Sequence, residues 1–228
     1  MPESNAVVLG GVVLVAIALA VWVFTAHRKQ RKAQEERLDR VGFRPCPDET
    51  STLEALANRV KNDKDHQYRV EQPRRLAGEP VIYYYVKARD RQQADDERHA
   101  CEELLFRVRR QSDAGVVLVV KPSSLAAGIA TRLLGSLATG PWTTQPDDLV
   151  RLELPADLKD TNLLGALGPP GASLYDLVDA RILSVAQGIG DAGALTMMLR
   201  DDWCAVEAGH WQLPFRVDQL VARMRPLL

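Results

Sequence analysis

Residues 6–26, AVVLGGVVLVAIALAVWVFTA, form one apolar run of 21 positions without a charge, followed at once by His27-Arg28-Lys29-Gln30-Arg31-Lys32. At about 1.5 Å per residue such a run spans about 31 Å, roughly the hydrocarbon core of a bilayer. A single segment in lipid must satisfy its own backbone polar groups, so the pattern predicts a transmembrane helix over 6–26. The next stretch, residues 27–40, is polar and built from strong helix formers, which predicts a basic juxtamembrane continuation of that helix.

Beyond Gly42 the periodicity changes repeatedly. Leu53, Leu56, Ala57 and Val60 fall on one face of a helix that begins near Ser51-Thr52. Tyr68–Glu71 and Pro80–Ala88 read as strands, and the charged residues 89–99 as a break between elements. Cys101–Arg109 fits both periods. Its end alternates, and Gly115–Lys121 is a strand a short turn away, so a strand is expected there and the segments together as an antiparallel meander. Ser123-Ser124 opens an expected helix to about Leu137, stopped by Gly140-Pro141. Leu149–Leu154 alternates as a strand, Ser173–Gln187 carries a helical stripe, and Thr196–Arg200 with Trp203–Glu207 forms a hairpin about Asp201-Asp202. Phe215–Met224 closes the chain as an amphipathic helix. Strands in a run first and helices interleaved later predict an α+β class with a mainly antiparallel sheet and several packed helices. The expected organisation is an extracytoplasmic N-terminus over 1–5, the transmembrane helix 6–26, the juxtamembrane helix 27–40 and an α+β domain over 41–228.

Charge sets the expected orientation. One acid, Glu3, precedes the apolar run, whereas Arg28, Lys29, Arg31 and Lys32 follow it. Lys and Arg beside a membrane segment stay on the cytoplasmic side, so the N-terminus is expected outside and the domain in the cytoplasm. A cleaved signal peptide, the main rival, would carry basic residues before a shorter apolar core. Those four basic residues are the expected lipid-headgroup contacts. The formal net charge of the chain is −1, which argues against a dedicated nucleic-acid binder. Three widely spaced cysteines, Cys46, Cys101 and Cys204, suit reduced thiols better than a disulfide framework.

Motifs for chemistry are weak. Gly188-Ile189-Gly190-Asp191-Ala192-Gly193 is literally G-x-G-x-x-G, but it follows an expected helix and precedes an expected strand, the reverse of a dinucleotide site. Those glycines are read as a helix stop and a turn. His99 and Cys101 share a strand face without a second pair to complete a zinc site, and Cys204 with His210 lacks any nucleophile motif. Asp147-Asp148 and Asp201-Asp202 read as turn residues. In Tyr83-Tyr84-Tyr85 the rings alternate sides, so one side is expected to be an aromatic surface or, more simply, the rim of the core. No catalytic, cofactor or metal residues are assigned. The Gly-, Ala- and Leu-rich stretch over 121–171 is the expected docking region for a protein partner, with Leu133, Leu134 and Trp142 as candidate contacts.

The arrangement resembles that of bacterial inner-membrane proteins with one N-terminal anchor, a basic flank and one small cytoplasmic domain; it carries no site residues across. The expected function is a membrane-tethered, non-catalytic interaction module, a scaffold or accessory subunit at the cytoplasmic face. The alternatives are a small hydrolase or transferase acting near the membrane, and a sensor of a small molecule or lipid.

Overall fold

Successive residues of a strand point to opposite faces of its sheet, and that alternation sorts the strand residues here between two covered faces. The computed structural model of the chain describes residues 32–92, 97–110, 112–121, 146–159, 161–208 and 216–228. The chain divides into two units, Met1–Arg40 and Val41–Leu228. Helix α1 begins the described chain over residues 32–41, all but the last in the first unit, and in it Arg40 Nε donates to the Glu36 carbonyl one turn back. The apolar run 6–26 and the basic residues Arg28, Lys29 and Arg31 lie outside the described residues. Among the described residues, no helix is long and apolar enough to cross a membrane.

The second unit is α+β. Its described strands are β1 (Phe43–Pro45), β2 (His66–Leu76), β3 (Val81–Asp90), β4 (Glu97–Arg107), β5 (Val116–Val120), β6 (Val150–Leu152), β7 (Leu163–Gly168), β8 (Ala194–Arg200) and β9 (Trp203–Ala208). They join one sheet in the order β1-β2-β3-β4-β9-β8-β5-β7-β6, with every adjacent pair antiparallel. The helices of this unit are α2 (Thr50–Lys61), α3 (Leu174–Leu177), α4 (Ala180–Ile189) and α5 (Val217–Met224).

Local chemistry explains the turns. Asp201 takes φ +52° between β8 and β9, a left-handed conformation that Asp tolerates better than most residues. Pro73 sits in the long strand β2 where the register with β3 shifts between Glu71 and Arg74, and Gln72 there has φ +52°. A proline without an N–H fits such a bulge, and its carbonyl accepts from Cys46 N at 2.9 Å. Among the described residues, the first part of β2 has no neighbouring strand on its outer side. Helix α2 supplies the missing partners: Asn58 Oδ1 accepts from Tyr68 N at 2.9 Å, Asn58 Nδ2 donates to Tyr68 O at 2.8 Å, and Glu54 Oε1 accepts from Val70 N at 3.1 Å. The exposed edge is thereby closed to other strands.

The sheet is packed on both faces. Leu53, Ala57 and Val60 of α2 join Tyr68, Val70, Ile82, Tyr84, Val86, Leu105, Val117, Met198 and Ala205 in one buried cluster. The alternate residues Val81, Tyr83, Leu104, Phe106, Leu118, Met197, Leu199, Cys204 and Val206 point the other way and are also buried. On that side α4 packs against β5 and β8, and α4 packs against α5.

Several expectations shift. The helix expected over Ser173–Gln187 is broken: Val178 is extended (φ −138°, ψ 138°), and Asp179 caps a new helix by accepting from Ile182 N at 2.9 Å. The charged stretch 89–99 does not simply interrupt the sheet, since β3 runs to Asp90 and β4 starts at Glu97. Leu163–Gly168, within the Gly-, Ala- and Leu-rich stretch 121–171, is strand β7 between β5 and β6. The helix expected over 123–137 lies outside the described residues.

Candidate functional site

Four polar side chains stand in a row across the α2 face, one on each of four adjacent strands. Register places Tyr84 of β3 opposite Glu103 of β4, Glu103 opposite Glu207 of β9, and Glu207 opposite Thr196 of β8. Two carboxylates directly opposite each other repel, and burial sharpens that repulsion. The compensating charge comes from above. Lys61, the last residue of α2, lies on the continuation of its apolar stripe, four residues after Ala57 and eight after Leu53, so the helix drives it into the core.

Lys61 and Glu103 are both fully buried, and Glu207 is 13% exposed. Lys61 Nζ is 2.8 Å from Glu103 Oε2 and contacts Glu207 Oε1. The hydroxyl of Tyr84 donates to Glu103 Oε1, and Thr196 Oγ1 donates to Glu207 Oε2 at 3.0 Å. The ammonium also stands 5.1 Å from the centre of the Tyr68 ring, within cation–π range. Burial opposes charge on Lys61, but Glu103 and then Glu207 outweigh it and hold the ammonium's pKa well above its usual range. Burial, aided by the charge of Glu207, pushes the Glu103 carboxyl up in spite of Lys61. Burial thus favours the protonated form of Glu103, and the two carboxyl groups share one ammonium. Burial and the adjacent Glu103 raise the Tyr84 phenol well above its usual range, so it remains a donor.

Cys101 borders the row. Its Sγ and carboxylate oxygens of Glu103 and Glu207 lie within 4.8 Å of one another, a spacing three metal ligands could share. Lys61 already supplies the positive charge among them. The Cys101 thiol is raised well above its ordinary value by burial and then by Glu207, which disfavours the thiolate a soft metal needs. The pairing of Cys101 with His99 considered from the sequence cannot be placed, because the His99 side chain lies outside the described residues.

The remaining candidates resolve into structural roles. Cys204 is buried on the opposite sheet face and its thiol is strongly raised by burial, so it is a core residue rather than a nucleophile; His210 lies outside the described residues. The G-x-G-x-x-G segment ends α4, passes through one 3₁₀ turn and exits at Gly193 with φ +85°. Asp201-Asp202 is the β8–β9 turn. Asp148 receives both terminal nitrogens of Arg200, at 2.7 and 2.8 Å, and Asn62 Nδ2 at 2.8 Å. These contacts, led by the Arg200 hydrogen bonds, pull its carboxyl down to about 2. Arg200 Nε meanwhile donates to the Val60 carbonyl at 3.2 Å, satisfying an otherwise open acceptor at the end of α2. Tyr83 and Tyr84 are both buried and Tyr85 is half-buried against Tyr83 at 5.6 Å, so the tyrosines line the core on both faces and present no aromatic surface.

Asp63 accepts from Tyr68 Oη at 2.7 Å and faces His66 Nδ1 at 2.9 Å, while its other oxygen accepts from Asp65 N and His66 N. That pattern organises the α2–β2 turn. An open cleft of about 530 Å³ is lined by Arg107, Arg110, Asp113, Asp202 and Leu228 among others. Arg107 Nε donates to Asp202 at 2.6 Å and Arg110 Nη2 donates to the carbonyls of Ala114 and Leu177, while Arg110 Nε and Nη1 are buried without a hydrogen-bond partner among the described residues.

Leu133, Leu134 and Trp142 lie outside the described residues, and of the basic quartet only Lys32, at the start of α1, is described. The buried row was not singled out from the sequence. Its signal was nonetheless present: Lys61 falls on an apolar helical stripe, and Glu103 and Glu207 fall on the inward parity of their strands. No protein-family model matches the chain, and neither the curated proteins nor the solved structures yield a match.

Proposed function

We propose that the chain is a membrane-tethered, non-catalytic interaction module, a scaffold or accessory subunit displayed at the cytoplasmic face of a bacterial inner membrane. The single observation behind the non-catalytic reading is the closure of the Lys61–Glu103–Glu207 cluster: Lys61 and Glu103 are fully buried and already paired, and Glu207 is 13% exposed. A catalytic acid, base or nucleophile must reach a substrate, and Lys61 and Glu103 reach only their neighbours within the buried row. Tethering supports the rest of the reading, since an anchored domain meets membrane-bound partners at raised effective concentration.

In this reading residues 6–26 cross the membrane, Arg28, Lys29, Arg31 and Lys32 hold the inner headgroups, and Leu133, Leu134 and Trp142 contact a protein partner. The small-enzyme alternative would place its chemistry in the open cleft, where the buried Nε and Nη1 of Arg110 have no hydrogen-bond partner among the described residues, rather than in the closed Lys61 cluster.

Two fusions at Leu228 test the placement. A green fluorescent protein there should be bright and an alkaline phosphatase inactive; the reverse pattern would put the domain outside. Crosslinking followed by purification from membranes should then recover a stoichiometric protein partner that is lost when residues 1–26 are deleted. Recovery unaffected by Leu133→Ala, Leu134→Ala and Trp142→Ala, tested singly, would remove those residues from the interface.

A further inference from the structure

The buried lysine lies between two carboxyl groups in an enclosure that excludes bulk water, and this is the geometry of an acylation site as well as of an ion pair. We propose that Lys61 and Glu207 condense within the folded domain to an isopeptide bond joining the end of α2 to β9, with Glu103 relaying the protons. This holds whether or not the domain is tethered.

The roles follow from position. Lys61 Nζ contacts Glu207 Oε1, which brings the nucleophile to the acceptor carboxyl without diffusion. Fixed juxtaposition of this kind is worth effective molarities of about 10⁵ to 10⁸ M. Thr196 Oγ1 donates to Glu207 Oε2 at 3.0 Å and can stabilise the oxygen that gains negative charge as the carbonyl carbon becomes tetrahedral. Glu103 Oε2 is 2.8 Å from the same nitrogen, while its other oxygen is held by the Tyr84 hydroxyl. Glu207 is the acid of the two that reaches the surface, at 13% exposure against none for Glu103, so the released water has an exit beside it.

Starting from the protonated form of Glu103, the atoms balance without a co-reactant. The ammonium passes one proton to the Glu207 carboxylate, and the neutral amine forms a bond from Nζ to Cδ. Glu103 takes a second proton from that nitrogen as its own carboxyl hydrogen goes to the departing hydroxyl. The Cδ–OH bond breaks and water leaves; Nζ keeps one hydrogen, and Glu103 ends in its starting protonation state. The product N–H remains beside Glu103.

The test is intact mass and tryptic mapping of the full-length chain purified from membranes in detergent. The wild type should weigh about 18 Da less than its sequence, one water, with no tryptic cleavage after Lys61 and a branched peptide joining Lys61 to Glu207. E207Q should lose about 17 Da, one ammonia, and reach the same product. K61R and E103Q should stay at full mass, with circular dichroism showing that each is folded. Wild type at full mass and cleaved after Lys61 would overturn the proposal, as would a branch mapped to Glu103. Condensation of E103Q at the wild-type rate would remove Glu103 as the relay.

Discussion

The two faces of this sheet are built on opposite principles. Behind α4 and α5 the strands present Leu104, Phe106, Leu118, Met197, Leu199 and Val206, and shape alone has to be satisfied. Beneath α2 the same strands present Tyr84, Glu103, Glu207 and Thr196, and a lysine has to arrive at one place to neutralise them. An apolar face tolerates exchange of one hydrocarbon for another of similar volume. A charged row does not, because losing either sign leaves the other buried and uncompensated. The α2 face therefore specifies register across β3, β4, β9 and β8 in a way the other face cannot, since a one-residue slip would move both acids to the wrong side.

The largest expected effect separates the faces most clearly. Relative to the chain before any Lys61–Glu207 condensation, Lys61→Ala strands two buried acids and should destabilise the domain by about 3–5 kcal/mol. Urea unfolding of the full chain in mild detergent, followed by tryptophan fluorescence, measures it. Combining Lys61→Met with Glu103→Leu and Glu207→Leu removes the stranded charges and should restore most of that loss. A triple variant no more stable than Lys61→Ala would show that the row is needed for more than charge balance.

On the apolar face, Leu118→Ala should cost about 2–5 kcal/mol through the cavity it leaves, with no dependence on pH. The α2 face should respond to pH. Burial raises the folded-state pKa of Glu103 above its ordinary value of 4.5. The folded state then binds this proton more tightly, so the contribution of Glu103 is fully present below 4.5 and falls as pH rises through the higher folded value. Glu103→Gln mimics the protonated form and should flatten the decline in urea midpoint above pH 4.5. A Leu118→Ala variant with the same altered slope would break the contrast between the faces.

The smallest effect belongs to the surface. Asp148 is lowered from 3.8 to about 2 chiefly by Arg200, but its side chain is 44% exposed, so solvent screening reduces its worth. Asp148→Asn should cost about 1 kcal/mol or less at neutral pH. A lowered carboxyl stabilises above its unfolded pKa, so this difference should fade as pH falls from 3.8 through about 2. Loss of several kcal/mol at pH 7 would make the Arg200–Asp148 contact as important as the buried row.

How much was legible in the sequence follows from the same contrast. The apolar periodicity of α2, β3, β5 and α5 is strong enough to read locally, and so is the Asp201-Asp202 hairpin. The α3–α4 break was missed because Val178 and Asp179 keep the helical stripe while Asp179 offers a cap that the stripe does not reveal. Strand β7 was missed because its glycines and short leucine run lack the β-branched signature, and only pairing with β5 and β6 defines it. Glu103 and Glu207 are 104 positions apart, and Lys61 is further still from Glu207. Each reads by itself as an ordinary surface charge; their meeting depends on the order in which the strands lie side by side.

Lysine acylation with an N-hydroxysuccinimide ester, mapped by mass spectrometry in the folded full-length Glu103→Gln variant, in which Lys61 keeps its free amine, probes the sealed cluster most directly. Lys64, whose side chain is 74% exposed, should label rapidly while Lys61 stays unmodified. Labelling of Lys61 in the folded protein at a rate close to that of Lys64 would contradict closure of the cluster, and with it the non-catalytic reading of the domain.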